Sequence, residues 1–206
     1  MRRSSKSIPL VIAFVILLVV VGGWVIKGAV NKLDVTRDSA EPAQRRDPLK
    51  LPLRQPKIIV KKRQHQLLLF SDGKLVRTYR IGLGLSPVGD KVRQGDRRTP
   101  EGDFYIFVKN NRSAFYLSLG VSYPNEAHAA RGLRDGLISK AQYDAIMRAL
   151  RAGKTPPQNT RLGGDIYIHG NGASSDWTWG CVALEDTDVR ELFDAIPVGT
   201  PVRIEP

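Results

Sequence analysis

Residues 178–182, Thr178-Trp179-Gly180-Cys181-Val182, contain the only cysteine of this 206-residue chain. They follow an apolar run, Asp165 to Ile168, that ends in the pair His169-Gly170. A nucleophilic cysteine needs a base that accepts its proton and backbone N–H groups that hold an oxyanion. A Gly-Cys turn after a histidine at the end of a strand can supply both. This pattern favours Cys181 as a nucleophile, whereas a single cysteine is otherwise usually a small buried apolar residue.

The N-terminal run from Ile8 to Ile26 contains no charged residue and follows three basic residues, Arg2, Arg3 and Lys6. About 20 apolar residues span the hydrocarbon core of a bilayer, and the basic flank stays on the cytoplasmic side. Gly22-Gly23-Trp24-Val25 makes a poor signal-peptidase site. We therefore predict that residues 1–28 are an uncleaved single-pass anchor in the cell inner membrane, with the rest of the chain in the periplasm.

The prediction of export strengthens the interpretation of the cysteine. In an oxidising compartment a lone cysteine has no intramolecular disulfide partner, so its thiol is a candidate reactive group. Residues 29–56 are polar and contain four prolines, which is typical of a flexible tether. The remaining residues, 57–206, are enough for one folded domain with its own core.

The formal net charge of +12 is spread along the chain rather than gathered in one stripe. Lys61-Lys62-Arg63 is only a short basic cluster without interleaved aromatic residues, so nucleic-acid binding is not expected. A cationic exported domain suits anionic envelope polymers. His65 and His128 lack carboxylates at metal-ligand spacing, and we predict no metal, no cofactor and an exposed or polar-face position for both histidines.

Alternation, turn residues and capping signals predict a mostly β domain with two short helices. Asp72-Gly73 is a hairpin signal between two strand-like runs. Ser139 to Gln142 is a capping box that opens one helix, and a second helix is predicted from about Thr187 to Ala195. The strands are predicted at 58–60, 66–70, 75–82, 104–108, 115–121, 165–168 and 202–204.

Four motifs in a fixed order carry a resemblance to a known family. They are Gly95 to Phe104, Ile168-His169-Gly170-Asn171, Trp179 to Leu184, and Val198 to Val202. Together they resemble the L,D-transpeptidase catalytic domain of the YkuD type, over about Lys57 to Pro206. The resemblance implies a β-sandwich or twisted mixed sheet whose cysteine attacks peptidoglycan stem peptides, between a diamino acid at position three and the following D-alanine. An acyl-enzyme forms as D-alanine leaves, and the acyl group then passes to an amine of a neighbouring stem or a wall-anchored envelope protein, or to water.

The resemblance also implies roles for single residues. Cys181 matches the nucleophile and His169 the base, with the carbonyl of Gly170 orienting the imidazole. The N–H groups of Gly180 and Cys181 are the expected oxyanion donors, and a paired imidazolium is expected to lower the pKa of the thiol. The predicted substrate-binding residues are Arg97, Arg98, Asn171, Thr178 and Trp179. For the two arginines, a structural turn held by Asp96 is an equally supported alternative.

Two positions depart from the common family pattern. Trp179 stands where a histidine usually precedes Gly-Cys, and Ala183 stands where Asn or Arg usually follows two positions after the cysteine. A subset with Trp-Gly-Cys-Val-Ala is similar to this chain, and some of its members are hydrolases that release envelope protein from peptidoglycan. An L,D-endopeptidase or carboxypeptidase and a non-catalytic peptidoglycan-binding module therefore remain open beside the transpeptidase. Tryptophans 177 and 179 are candidates for walls of the cleft.

Two further features stay open at the level of sequence. The segment Asn125 to Arg161 lies between two predicted strands and is either a lid over the cleft or a cover for the sheet. Ser174 and Ser175 are an alternative nucleophile, but their surroundings lack the Gly-x-Ser-x-Gly elbow of serine hydrolases.

Overall fold

The computed structural model describes residues 46–206, which contain eight strands and three helices. The predicted anchor at 1–28 and most of the predicted tether lie outside the described residues. In the part that is described, no helix combines the length and the apolarity needed to cross a membrane. The strands are β1 (Lys57–Lys61), β2 (Gln66–Ser71), β3 (Lys74–Arg80), β4 (Gly102–Ser113), β5 (Tyr116–Val121), β6 (Tyr167–His169), β7 (Val182–Ala183) and β8 (Pro201–Glu205). The helices are α1 (Glu126–Arg134), α2 (Lys140–Arg151) and α3 (Asp186–Ala195).

All eight strands belong to one mixed sheet in the order β3-β2-β1-β8-β4-β5-β6-β7. The pairs β1–β8 and β6–β7 are parallel and the others are antiparallel. The long strand β4 pairs with β8 through its first half and with β5 through its second half, and thereby joins the two halves of the sheet. Beyond β3, Gly82 forms a bridge with Ala183 of β7, so the sheet curls until its two ends meet. The prediction of a mostly β mixed sheet is confirmed.

The core lies inside this curled sheet and under α3. Alternating residues of β1 and β8 point inward, with Ile58, Val60, Val202 and Ile204 at most 2% exposed. Ile168 of β6 and the apolar face of α3 join the same cluster. Burial of these side chains fixes the register of β6, because a slip of one residue would turn His169 to the other face.

The local signals for turns and helices are confirmed. Asp72 and Gly73 both have positive φ, 48° and 74°, as a two-residue hairpin loop with the right twist requires. The capping box forms: Gln142 N–H donates to Ser139 Oγ, and Ser139 N–H donates to Gln142 Oε1. Helix α1 was not predicted, because Leu133 is the only large apolar residue among its nine and the stretch includes Gly132. That glycine is needed for packing, since a Cβ there would lie 2.7 Å from Leu162 Cδ2.

The segment 125–161 covers the sheet with a small core of its own. Ala129, Ile138, Ile146 and Leu162 form this second cluster between α1 and α2. His128 was expected to be exposed or on a polar face, but it is 1% exposed and packs against Phe104 and Tyr123. The expectation failed because α1, which carries this histidine, lies directly on β4. The packing favours the cover over the lid.

Residues ahead of β1 also belong to the folded unit. The compact unit extends from Asp47 to Pro206. Leu49 and Leu53, in the segment assigned to the tether, pack against the core beside β2 and β3. The folded unit therefore begins before residue 57.

A carboxylate network ties α1 to the loop before β4. Asp90 accepts hydrogen bonds from His128 Nε2 at 2.9 Å, from Arg131 Nη1 at 2.8 Å and from the Glu101 N–H at 2.8 Å. Burial by itself would raise the pKa of Asp90, but these hydrogen bonds and the charge of His128 hold it well below its ordinary value of 3.8. The ionised carboxylate therefore stabilises the folded state above about pH 4, and this contribution is lost as the pH falls further.

Replacing Asp90 by Asn tests this linkage. We expect the free energy of unfolding to fall by about 2 kcal/mol at pH 7, because hydrogen bonds to a charged group are lost. The difference from the unmodified chain should shrink below pH 4. Urea unfolding at pH 7 and pH 3 measures it. Asp103→Asn is the control, because Asp103 pairs with Arg203 at the surface and is 69% exposed; a loss of the same size there, or a difference independent of pH, would contradict the prediction.

Candidate active site

His169 is the last residue of β6 and is 2% exposed. Its Nδ1–H donates to the carbonyl of Gly170 at 2.8 Å. A histidine that donates from Nδ1 carries its lone pair on Nε2, so the hydrogen bond selects the tautomer that can accept a proton at Nε2. The structure therefore shows the contact between Gly170 and the imidazole that the resemblance implied.

Two aromatic side chains hold the imidazole plane. Phe115 stacks on His169 with ring centroids 4.6 Å apart and an interplanar angle of 29°. Trp177 meets the ring edge-on at 5.5 Å, and its indole Nε1–H donates to the carbonyl of Gly172. With one ring face stacked on Phe115 and a second aromatic contact from Trp177, the histidine has little rotational freedom. Sequence reasoning missed Phe115, because β4 and β5 bring this residue to the site from 54 positions upstream.

Gly170 lets the hairpin of β4 and β5 approach β6 closely. Its N–H donates to the carbonyls of Phe115 and Leu117, at 3.1 and 3.2 Å. A Cβ at this position would lie 2.9 Å from the Phe115 carbonyl oxygen and would also collide with Asp186 Oδ1. The same carboxylate oxygen accepts the N–H of Asn171, which has a φ of 77°. Asn171, a predicted substrate-binding residue, thus lies in the turn after β6, which is hydrogen-bonded to the first residue of α3.

Cys181 directly precedes β7, which pairs in parallel with β6. Its Sγ–H donates to the carbonyl of Asp165 at 3.4 Å, and its Sγ accepts the N–H of Tyr167, also at 3.4 Å. The parallel pairing of Ile168 with Val182 and of His169 with Ala183 sets Cys181 level with Tyr167, two positions before His169 on the adjacent strand. The side chains of Cys181 and His169 line one cavity of about 300 Å³, between the hairpin tip and these strands.

The two pKa shifts at the site differ from the expected thiolate and imidazolium pair. Burial raises the pKa of Cys181 to about 11, and the negative charge of Asp165 adds to this rise. The hydrogen bond from the Tyr167 N–H favours the thiolate and partly offsets the rise. Burial lowers the pKa of His169 below its ordinary 6.5, although the bond to Gly170 opposes this. Both shifts arise because a charged group loses hydration in the cavity. The resting site therefore holds a neutral thiol and a neutral imidazole, which corrects the expectation of a lowered thiol pKa.

The protonation state predicts how the thiol reacts with a small alkylating reagent. At pH 7 we expect iodoacetamide to modify Cys181 about 100-fold more slowly than it modifies an ordinary cysteine, because only the thiolate reacts. The rate should rise about tenfold per pH unit between pH 7 and 10. Mass spectrometry of quenched samples measures it, with the urea-unfolded chain as the reference. A rate that is already constant near pH 6 would show a preformed thiolate instead.

The turn before the cysteine is organised by Thr178 and Gly180. Thr178 is buried; its hydroxyl donates to the Cys181 carbonyl at 2.8 Å and accepts the Gly180 N–H at 3.1 Å. Gly180 has a φ of 129°, and a Cβ there would lie 2.7 Å from the Arg98 carbonyl oxygen. Two expectations change as a result. Thr178 was expected to bind substrate, and the Gly180 N–H to hold an oxyanion; both groups instead hydrogen-bond within the turn.

The two predicted arginines lie outside the cavity. The Arg97 guanidinium lies 5.0 Å from the ring centroid of Trp179, which is 69% exposed. The Arg98 guanidinium is directed to the Asp90 carbonyl at 3.4 Å. Asp96 accepts the N–H groups of Val92, Arg93 and Arg98 and a bond from Lys91. The alternative of a structural turn held by Asp96 accounts for these contacts, so neither arginine is positioned against the thiol.

Only Cys181 and His169 of the predicted site residues line the cavity. The wall contains side chains that sequence reasoning missed, among them Phe115, Arg112 and Asp165. No local motif marks Arg112 or Phe115, because the hairpin tip reaches the site only through strand pairing. Among the described residues, no group of three or more His, Cys, Asp or Glu side chains is arranged to hold a metal ion.

Comparison with known proteins assigns the family. The family model of the L,D-transpeptidase catalytic domain, YkuD, matches residues 55–204, so this chain belongs to that family, whose enzymes act on peptidoglycan stem peptides. No match was found among curated proteins.

Solved structures give similar folds at low identity. An L,D-transpeptidase from Mycobacterium smegmatis aligns with 12% identity and a TM-score of 0.44, over 74% of this chain and 59% of its own. The helical cell shape determining protein Pgp2 from Campylobacter jejuni aligns with 23% identity and a TM-score of 0.48, over 73% and 47%. Bd1075 from Bdellovibrio bacteriovorus aligns with 22% identity and a TM-score of 0.47, over 74% and 48%. The chain thus spans only about half to three-fifths of these proteins.

Proposed function

We propose that this chain is a cysteine-dependent L,D-transpeptidase of peptidoglycan, with Cys181 as nucleophile and His169 as base. The observation that carries the proposal is a single cavity lined by both side chains, in which a hydrogen bond to Gly170 leaves the lone pair of the imidazole on Nε2. The substrate is a stem peptide, and the bond cleaved follows the diamino acid at position three.

The protonation states require proton transfer during attack. The thiol proton, which Sγ donates to the Asp165 carbonyl in the resting site, moves to Nε2 of His169 as Sγ forms a bond to the peptide carbonyl carbon. The tetrahedral intermediate then expels the amine of D-alanine, which takes the proton from Nε2, and a thioester remains on Cys181. An acceptor amine next attacks the thioester carbon and gives a proton to Nε2. The C–S bond then breaks, and Sγ takes the proton back from Nε2, which restores the thiol.

We assign the N–H of Cys181 as the donor that stabilises the oxyanion of the tetrahedral intermediate. The Gly180 N–H is engaged by the Thr178 hydroxyl, so it is a poor donor for the developing charge. The turn instead fixes the orientation of the Cys181 peptide group, because the Thr178 hydroxyl also binds the carbonyl of Cys181. Rigid placement of such a donor is what gives an oxyanion site its effect.

Hydrolysis is the second candidate outcome, and one observation favours it. Where the common family pattern has two polar residues, this chain has Trp179, exposed to solvent, and Ala183, fully buried in β7. The chain therefore lacks two polar groups with which an acceptor stem could be bound. If water resolves the thioester, the products are shortened stems or released envelope protein rather than crosslinks.

The proposed location follows from the N-terminal sequence. The uncharged run Ile8 to Ile26 supports an anchor in the inner membrane, with the domain on the periplasmic side near its polymeric substrate. Protease added to spheroplasts should digest the domain while the cytoplasmic side stays protected. A domain that is resistant until the cells are lysed would contradict this location.

Product analysis distinguishes the candidate functions. The full-length chain is incubated with purified disaccharide tetrapeptide, with and without crosslinked peptidoglycan, beside a Cys181→Ala control. Mass spectrometry then reads the acyl-enzyme and the products. Loss of D-alanine together with crosslinked dimers supports a transpeptidase, and shortened stems without dimers support the hydrolase. If the chain forms no adduct and its products equal those of the control, catalysis is refuted. The non-catalytic peptidoglycan-binding module is then the remaining hypothesis.

A further inference from the structure

An exposed apolar edge, formed by Leu85, Val88 and Trp179, lies outside the catalytic cavity. These side chains are 46%, 83% and 69% exposed, and none of them lines the cavity. The Leu85 N–H donates to the carbonyl of Thr178 at 2.9 Å, which places Leu85 directly beside Trp179. Val88 lies further along the same loop. Large apolar side chains that a folded domain keeps together at its surface mark an interaction site.

The loop that presents two of these side chains is fixed to the domain at both ends. At its start, the Ser86 N–H donates to the carbonyl of Arg97 at 3.0 Å. At its end, the buried ammonium of Lys62 donates to the carbonyl of Gly89 at 2.6 Å. The apolar side chains are therefore held outside the core by a loop that is already ordered, and a partner surface does not have to order it on binding.

Three arginines flank the apolar edge, and none of them forms an ion pair within residues 46–206. The guanidinium of Arg97 lies over the Trp179 ring, 5.0 Å from its centroid. Arg63 is exposed and lines a small pocket together with Val88. The guanidinium of Arg98 lies beside the same loop and donates only to a backbone carbonyl. Arginines without carboxylate partners, next to apolar side chains, complement a surface that is anionic outside and apolar beneath.

We propose that the apolar edge docks on the anionic surface of the membrane, with its three side chains in the headgroup region and the arginines against lipid phosphates. The proposal rests on the proposed location at the inner membrane. Residues 29–45 separate the described chain from the predicted anchor at 1–28, and they span at most about 60 Å when fully extended. The anchor therefore keeps the domain within reach of the bilayer, where a contact that is weak by itself is sufficient.

The chemistry of the edge favours lipid over a glycan strand. Leu85 and Val88 have no side-chain donor or acceptor for sugar hydroxyls, and Arg97 already lies over the Trp179 ring. An indole suits the boundary between headgroups and acyl chains because it is amphipathic. Arginine suits the same boundary, since its stem covers apolar surface while its charge stays in the polar layer.

Fluorescence from single labelled sites in the full-length chain tests the docking. The chain carries Cys181→Ala, which removes its only thiol, and either Val88→Cys or Val198→Cys with an NBD label. Val198 is the matched control: it is 56% exposed and precedes the start of β8, whereas Val88 lies beside Pro206, after the end of that strand. Each chain is reconstituted into vesicles of phosphatidylcholine, with or without about 30% phosphatidylglycerol, that contain a spin-labelled lipid as quencher.

We expect quenching that depends on the site and on the lipid charge. In the anionic vesicles, fluorescence at Val88 should be quenched at least about twofold, and fluorescence at Val198 by less than about a fifth. In phosphatidylcholine alone, quenching at Val88 should fall to the level at Val198. Arg63→Gln and Arg97→Gln should each lower the ratio of docked to free domain about fivefold. Arg148→Gln, which removes the same charge from an exposed position of α2, should leave the ratio unchanged.

The outcomes separate the docking from the proposed function. If the chain resists a carbonate wash of the vesicles but Val88 is unquenched, or is quenched no more than Val198, the docking is refuted while the anchor stands. If the wash removes the chain, the proposed location is wrong and the docking is wrong with it. If purified glycan strands change the fluorescence at Val88 and anionic lipid does not, the edge binds glycan and the membrane proposal is overturned. Release of D-alanine by the chain with intact Cys181, in detergent, tests catalysis independently.

Discussion

Replacing Cys181 by Ala or Ser is expected to lower kcat for release of D-alanine at least about 10⁴-fold, and to abolish the covalent adduct. Ala removes the nucleophile, and Ser is a much weaker one because its hydroxyl ionises far less readily than a thiol. The side chain is small and its turn is held by Thr178, so the fold should survive either change. Initial rates with a disaccharide tetrapeptide and intact-mass spectra of the enzyme provide the measurement.

The control for this prediction is the pair of serines that precede the cysteine. Ser174 and Ser175 are exposed and do not line the cavity, so Ala at either position should leave kcat within about twofold of the unmodified chain. If one of these variants were inactive while Cys181→Ser retained most of its rate, the nucleophile would have been assigned to the wrong side chain.

Replacing His169 by Asn is expected to lower kcat/KM about 10³-fold, the usual range for a general base. Asn can still donate from its amide to the Gly170 carbonyl, so the variant removes the lone pair at Nε2 and retains a side-chain hydrogen bond to that carbonyl. The remaining rate should depend on hydroxide, because no protein base then accepts the proton of a thiol whose pKa is raised to about 11. Stopped-time assays from pH 4.5 to 9 measure both effects.

The pH profile shows whether His169 acts as a base or only as a packing residue. In the unmodified chain, kcat/KM should fall on the acid side at a pH below 6.5, because burial lowers the pKa of His169. The Asn variant should lose this acid limb. His65→Asn makes the same change at a histidine that pairs with Asp176 outside the cavity, and should keep the limb. An acid limb that persists in His169→Asn would show that another group is the base.

Local sequence signals predicted well wherever a few neighbouring residues decide the conformation. Asp72-Gly73 fixes its hairpin through two positive φ angles, and the Ser139 capping box fixes the start of α2. Helix α1 escaped prediction because its apolar contacts are few and its position depends on Leu162, which lies in a different segment. The buried position of His128 was missed for the same reason, since only docking of α1 on β4 brings it against Phe104.

The sequence by itself determined the chemistry available at the site. It contains one thiol, and the model of the L,D-transpeptidase catalytic domain matches residues 55–204. It also determined that a glycine precedes the cysteine, at a position whose φ of 129° favours this residue type. These properties are local, because they depend on residue type and on short turns.

Only the tertiary structure decided the environment of that chemistry. Burial in the curled sheet, rather than any neighbouring residue in the sequence, raises the pKa of Cys181 and lowers that of His169. Strand pairing brings Phe115 and Arg112 from the β4 and β5 hairpin to the cavity. Desolvation and contact between distant segments depend on the packed chain as a whole, so no spacing or motif along the sequence could specify them.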